Sequence, residues 1–378
     1  MKKILFLIDN LKGGGAEKAI KILAEGLEEK GLIPTIVFLE NQKDYTLLPS
    51  IRTFALAKKA TQFSFIFLFF KLLRILIEIK PDVVYATNTK SQILLLLTKG
   101  LINTKRIINI QVDLQKQYIG RSFIFFILSK LFHVADGYSF ISRGLYETLQ
   151  DVLPKKPTYF LPNAIDFQEI DRLKNSSLPD EYLPIFRKPC IITVGRLTEQ
   201  KGQWILLRAF AQIQLDAHLV ILGTGEKEAE LKKLAQELKI EKKVFFLGFQ
   251  SNPFMFLAHA RIFILSSLWE GFGNVIVEAM RCSLPVISTD CPSGPGEILG
   301  LIQPKKESEE KEIVFEKFGI LVPVNDSYAL MLAMQNLFKD ISMQEYYGKQ
   351  SFLRSQDYDK EKIVTLFIDT FEVSECVE

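Results

Sequence analysis

The sequence predicts an α/β chain of two doubly wound domains, each a mostly parallel sheet wrapped by helices. Three observations carry that prediction. The chain has 378 residues, more than one hydrophobic core usually supports, so two domains of about 150–200 residues are expected. Short β-rich apolar runs alternate with longer helical patterns, the signature of parallel strands joined by crossover helices. The rhythm lapses in a proline-rich stretch and restarts at Cys190.

In the first half the expected strands are KILFLID (3–9), PTIVFLE (34–40), DVVYAT (82–87), RIINI (106–110) and DGYSFIS (136–142), with helices in the gaps. The second half repeats the pattern with CIITVG (190–195), HLVILG (218–223), KVFFLG (243–248), RIFILS (261–266) and LPVIST (284–289). Between them, residues 159–189 hold prolines and polar clusters without a sustained period, which reads as a connection. The expected organisation is a first domain over 1–165, a linker over 166–189, a second domain over 190–355, and a C-terminal helix in 356–378 that packs back on the first domain. Two such domains are expected to leave a cleft between the carboxyl edges of their sheets, where open α/β sheets bind ligands.

Composition narrows the class. A hydrophobic fraction of 48% with 24% charged residues is that of a folded soluble protein, yet 30 phenylalanines and a positive mean hydropathy require a location for excess apolar surface. Cys190, Cys282, Cys291 and Cys376 form no CxxC pair, and His133, His218 and His259 show no metal-ligand spacing. A reduced, cytoplasmic chain without structural zinc is expected. The opening MKKILFLID is too short in its apolar run for a signal peptide and reads as a buried strand. Charge is regional. Residues 58–130 hold 12 Lys+Arg against 3 Asp+Glu, a balance of +9, while the remainder holds 35 against 41, or −6.

Three segments place unusual residues just after an apolar strand. In TVGRLTEQKGQ (193–203), Gly195 permits a turn, Arg196 follows, and Lys201 precedes a helix. A planar guanidinium and a mobile ammonium at such a turn suit a diphosphate, although as isolated residues both also read as ordinary surface cations. VILGTGEKEAELKKL (220–234) offers Gly223 and Gly225 in a turn that opens a charged helix, a weak signal by itself. In SLWEGFGNVIVEAM (267–280), Gly271 and Gly273 let main-chain amides approach a ligand, and Asn274 starts a helix whose positive end suits an anion. Glu270 precedes that turn and Glu278 lies within the helix. Two carboxylates around a phosphate alone would repel it; a sugar nucleotide, with a diphosphate flanked by two polyols, fits both.

With these residues in this order, the chain resembles the retaining, GT-B-fold glycosyltransferases of the group 1 kind. Their GR-x4-K pair and E-x7-E motif are matched by Gly195-Arg196…Lys201 and Glu270…Glu278. GGGAEKAI (13–20), with Gly14 and Gly15, is similar to the family's GGAE loop facing donor phosphates and acceptor. LPNAID (161–166) and TDCPSGPGEIL (289–299) also resemble family segments. The resemblance implies that Arg196 and Lys201 hold the donor diphosphate, Glu278 the ribose hydroxyls, and Glu270 with the amides around Phe272 and Gly273 the hexose. It further implies metal-independent transfer without a cofactor, from a nucleotide sugar, UDP-linked by analogy with bacterial lipid-linked glycan enzymes and GDP-linked as the alternative. One departure stands out. Where many members carry a histidine after a first-domain strand, this chain reads INIQVDLQKQ (108–117), leaving Gln111 or Asp113 as acceptor-side candidates; His133, in SKLFHVADG, reads as a capping or core residue.

TQFSFIFLFFKLLRILIEIK (61–80) and RSFIFFILSKLF (121–132) house much of the excess phenylalanine. Both are too short or interrupted for a confident membrane span. Two readings stand: helices buried against the sheet, or an interfacial surface whose aromatics enter the headgroup region while cations meet anionic lipid. Nucleic acid is a poorer partner, because no recognition motif accompanies the phenylalanines. The expected activity is transfer to a lipid-linked or polysaccharide acceptor at the inner face of the cytoplasmic membrane. The rivals are a soluble transferase with a small acceptor and a non-catalytic sugar-nucleotide-binding subunit.

Overall fold

The computed structural model describes residues 2–42, 44–58, 65–114, 122–301 and 312–372. Two compact units divide the chain: Met1–Ile165 with Asp359–Glu378, and Asp166–Tyr358.

The first unit is built on a seven-stranded parallel sheet in the order β3-β2-β1-β4-β5-β6-β7. Its strands are β1 (Ile4–Ile8), β2 (Thr35–Glu40), β3 (Arg52–Ala57), β4 (Val83–Thr87), β5 (Lys105–Ile110), β6 (Gly137–Phe140) and β7 (Thr158–Phe160). β1 and β4 are buried along their whole length. That is why they read as continuous apolar runs rather than alternating ones: helices cover both faces of a parallel sheet. Helix α1 (Gly15–Glu29) packs against the last helix of the chain, here α15 (Lys360–Phe371). Gly26 lets them approach, since a Cβ there would sit 2.5 Å from Val364. Phe367 is fully buried among Phe6, Tyr85 and Phe371, with ring centroids 4.8–5.8 Å away. This last helix is therefore part of the first unit's core, reinforced by the Lys360–Glu29 ion pair at 2.8 Å.

On a second helix layer lie α2 (Phe65–Ile79), α3 (Thr89–Leu96) and α4 (Ser122–Phe132), with α3 packed against both others. α2 has one buried face and one exposed face. Leu68, Leu72, Leu76 and Ile79 are buried, whereas Ile66, Phe67, Phe70 and Ile77 are exposed. Residues 61–64 lie outside the described residues. No helix among the described residues is long and apolar enough to cross a membrane.

The second unit repeats the architecture in the order β10-β9-β8-β11-β12-β14-β13, parallel except for β13 against β14. Its strands are β8 (Cys190–Val194), β9 (His218–Leu222), β10 (Val244–Gly248), β11 (Ile262–Leu265), β12 (Val286–Thr289), β13 (Val314–Glu316) and β14 (Gly319–Val322). Ten of the fourteen strands among the described residues coincide with the apolar runs. β3 and β7 escaped notice because they are edge strands: β3 is mostly exposed, and β7 has three half-buried residues. β13 and β14 are only three and four residues long. The stretch expected as a linker also holds structure. From Asp166 it belongs to the second unit, where α6 (Phe167–Lys174) is capped by Asp166, whose side chain accepts from Glu169 N–H at 2.9 Å, and α7 (Leu183–Phe186) follows. Helices of eight and four residues are too short to show a period.

Among the parallel strands of each sheet the order reverses once, between β1 and β4 and between β8 and β11. Crossovers leave in opposite directions there, opening a crevice at the carboxyl ends of the two strands.

Candidate active site

In the second unit the reversal point lies where the motifs fall. The loop after β8 carries Gly195, Arg196 and Lys201, and the loop after β11 carries Glu270 to Gly273. The strand-end loops are tied by main-chain hydrogen bonds: Gly195 N–H to Leu222 O (3.0 Å), Leu197 N–H to Thr224 O (2.9 Å) and Gly223 N–H to Gly248 O (2.7 Å). Only glycine suits two positions here. Gly223 has φ +132°, and a Cβ would lie 2.0 Å from Gly195 O; one on Gly225 would lie 2.3 Å from Leu197 O.

Lys201 ends a 3-10 turn (Glu199–Lys201) before α8 (Gln203–Ala211). Its ammonium donates to Glu270 Oε1 at 2.5 Å, and Ser267 Oγ donates to the same oxygen at 2.6 Å. Both ionic side chains are largely buried, 15% and 7% exposed, so the pair is shielded from solvent. Arg196 is exposed, with no side-chain hydrogen bond or ion pair among the described residues; its carbonyl accepts from Gln203 Nε2 at 2.9 Å. Helix α11 (Asn274–Arg281) starts at Gly273, whose φ is +97°, and buries Glu278. Phe272 is buried with its ring 5.3 Å from that of Tyr358, so only its main chain can meet a ligand.

The first unit gathers a second polar group at its own reversal point. Gly14 caps α1, and Glu17 Oε1 accepts from Asn88 Nδ2 at 3.4 Å. Asp9, at the end of β1, accepts from Ser91 N–H (3.1 Å) and Ser91 Oγ (2.6 Å). Burial pushes its carboxyl above the usual carboxylate range in spite of those two bonds. Asn109 Nδ2 donates to Thr87 Oγ1 at 3.1 Å, while Asn88 Oδ1 and Asn109 Oδ1 are buried without a hydrogen-bond partner. Gln111 Nε2 donates to Asn163 Oδ1 at 3.3 Å, and Asp113 is buried close by in sequence. Among the described residues no group of three or more His, Cys, Asp or Glu could hold a metal ion.

Comparison with known proteins gives this arrangement a family. Residues 180–354 match the family described as Glycosyl transferases group 1. An uncharacterized glycosyltransferase of Methanocaldococcus jannaschii is 31% identical over 329 residues, covering 78% of this chain and 80% of the archaeal protein. The chain belongs to the group 1 glycosyltransferases.

This glycosyltransferase is also similar along nearly its whole length to the Campylobacter jejuni N-acetylgalactosamine-N,N'-diacetylbacillosaminyl-diphospho-undecaprenol 4-alpha-N-acetylgalactosaminyltransferase. The identity is 29% over 380 aligned positions, 96% of this chain and 97% of that one. Among solved structures, the Anabaena protein HepE in complex with UDP superposes with a TM-score of 0.82 at 21% identity, covering 98% of this chain and all of that one. That likeness shows the GT-B fold.

Of the residues the sequence singled out, the transferase fold brings Gly195, Arg196, Lys201, Gly223, Gly225, Glu270, Gly271, Phe272, Gly273, Asn274 and Glu278 to one region of the second unit. Gly14, Gly15, Gln111 and Asp113 belong to the first unit. His133 is exposed at the end of α4, its Nδ1 2.9 Å from Ser129 O. Sequence reasoning overlooked Asp9, Asn88, Ser91, Asn109 and Asn163. A polar residue ending an apolar strand could have flagged Asp9 and Asn88; nothing local marks Asn163, whose pairing with Gln111 spans 52 residues.

Proposed function

We propose that this glycosyltransferase works with retention, moving a hexose or N-acetylhexosamine from a UDP-sugar to a lipid-linked or polysaccharide acceptor in bacterial glycan assembly. The observation that carries the proposal is the convergence of Arg196, Lys201, Glu270 and Glu278 beside a reversal point lined by glycine turns. Arg196 and Lys201 meet the diphosphate, Glu278 the ribose diol, and Glu270 with the main chain of Phe272 and Gly273 the hexose. As the bond from the anomeric carbon to the phosphate oxygen breaks, negative charge grows on the diphosphate, and the two cations stabilise it. The acceptor oxygen bonds to the anomeric carbon on the same face and its proton passes to the departing phosphate, so no side-chain base is needed. The choice of UDP is supported by HepE, solved in complex with UDP and with UDP-glucose, and the choice of acceptor by the Campylobacter relative, named for a diphospho-undecaprenol substrate.

A ligand that binds only the folded state raises the melting temperature, by an amount equivalent to about 2.7 kcal/mol at a hundredfold excess over Kd. UDP and a UDP-sugar are expected to stabilise the protein, and GDP to do so less. Stabilisation by GDP alone would replace the donor. With the cation pair in place of a metal, transfer is expected to survive excess EDTA; abolition by chelator with recovery on adding Mg²⁺ or Mn²⁺ would remove metal independence from the proposal.

The site of action is proposed to be the inner surface of the cytoplasmic membrane. The exposed face of α2 with Ile66, Phe67, Phe70 and Ile77, together with exposed Leu97, Leu101 and Ile127 on neighbouring elements, lies within the +9 segment. Apolar insertion and cation attraction would act together, the second screened over a Debye length of about 8 Å at physiological salt. Purified protein is expected to float with vesicles containing anionic lipid, and salt should release much of it. Phe67→Asp, on an exposed position, should abolish flotation with the melting temperature unchanged, and replacing Lys71 and Arg74 with glutamate should weaken it at low salt. Equal indifference of the wild type to anionic and neutral vesicles would favour a soluble transferase with a small acceptor.

A further inference from the structure

The ion pair between Lys201 and Glu270 is more than two ligands standing side by side. The loops carrying them are laced together. Ser266 Oγ donates to Lys201 O (3.0 Å), Leu268 N–H to Gln200 O (2.8 Å) and Gln200 Nε2 to Trp269 O (2.9 Å). Glu270 is held in turn by Ser267 through Oε1 and by Ser293, whose hydroxyl donates to the Glu270 carbonyl. Thr289 Oγ1 fixes the Ser267 carbonyl at 2.6 Å. The Arg196 side chain, by contrast, is exposed and has no hydrogen bond or ion pair among the described residues.

We propose that Glu270 is a positioning residue for Lys201: one carboxylate oxygen, braced by Ser267, fixes the ammonium so that the pair acts as a unit on the donor diphosphate. The inference rests on the donor reading above and deepens it. A free lysine side chain must surrender rotamer entropy when it is immobilised. In this fold the carboxylate has already immobilised it before the donor arrives. The ammonium has three N–H groups; one is committed to Glu270, leaving two for diphosphate oxygens. Glu270 thereby acts on a group it need not touch, and its other carboxylate oxygen remains for the hexose. The opposite possibility makes a different forecast: if Glu270 merely competed with the diphosphate for Lys201, removing its charge would tighten diphosphate binding.

The experiment uses nucleoside diphosphates, which lack the hexose. Affinities of UDP and GDP are measured by calorimetry for the full chain, Glu270→Gln, Lys201→Met and the double variant. Glu270→Gln is expected to weaken whichever diphosphate the wild type binds by about tenfold, the scale of one hydrogen bond to a charged group. In the Lys201→Met background the same substitution should change affinity less than about twofold, because coupled residues are not additive. Unchanged or higher affinity in Glu270→Gln, or an equal loss in both backgrounds, overturns the proposal. A second readout needs no nucleotide and so separates failure of this inference from failure of the donor reading. Acylation by an N-hydroxysuccinimide ester, mapped by mass spectrometry, should label Lys201 several-fold faster in Glu270→Gln and in Ser267→Ala than in the wild type, with other lysines unchanged. Equal labelling of Lys201 in all three proteins overturns it as well.

Discussion

Arg196→Ala is expected to lower kcat about a hundredfold or more while weakening donor binding only several-fold, and Glu278→Ala to do the reverse. The difference lies in the group each residue meets. In the proposed reaction the ribose diol is unchanged between bound donor and transition state, so losing Glu278 removes uniform binding and appears in KM. The diphosphate gains charge as the glycosidic bond breaks, so losing a cation there raises the barrier itself, and removing a single oriented donor of this kind typically reduces kcat by about 10²–10³. Arg196 is exposed with no ion pair among the described residues, so its removal should leave the melting temperature alone. Glu278 is buried, so Glu278→Gln is the control that keeps its volume. Equal losses in kcat for both alanine variants, with donor affinity untouched, would overturn the division of labour.

Gly223→Ala is expected to abolish donor binding and to lower the melting temperature by roughly 5–10 °C. A methyl group at this position would lie 2.0 Å from Gly195 O and 2.9 Å from Gly195 C, both main-chain atoms, on a backbone with φ +132°. The loop bearing Arg196 must move, breaking its lacing to Leu222 and Thr224. Strain of this kind costs about 1–3 kcal/mol before any lost hydrogen bond is counted, and each kcal/mol shifts the melting temperature of a domain this size by about 2–4 °C. Gly31→Ala provides the comparison. Gly31 is also left-handed, with φ +75°, but nothing lies within 4 Å of the added carbon. That variant should lose only about 1 kcal/mol and bind donor normally. Wild-type donor affinity in Gly223→Ala would mean that the glycine loop takes no part in the site.

Much of the molecule is legible along the chain. The central strands declare themselves because a parallel sheet buried on both faces selects continuous apolar runs, and the turn glycines with the Arg196, Lys201, Glu270 and Glu278 spacings mark the loops at their carboxyl ends. The +9 segment and its phenylalanines are equally one-dimensional facts. Edge strands such as β3 and β7 stayed hidden, since an edge buries too little to demand an apolar sequence. The short helices of 167–186 were hidden too, being held by packing more than by their own period. Only the tertiary structure decided that Phe67 and Phe70 lie on the exposed face of α2 while Leu68 and Leu72 face the core, that Phe367 completes a core begun at Phe6, and that Lys201 reaches a carboxylate 69 residues away. The reason is strand order. Local sequence specifies that a strand forms and where it turns, but which strands become neighbours is decided by burying all the helices and strands at once. It is the pairing of β8 with β11, across the reversal of the sheet, that brings cation and carboxylate to one crevice.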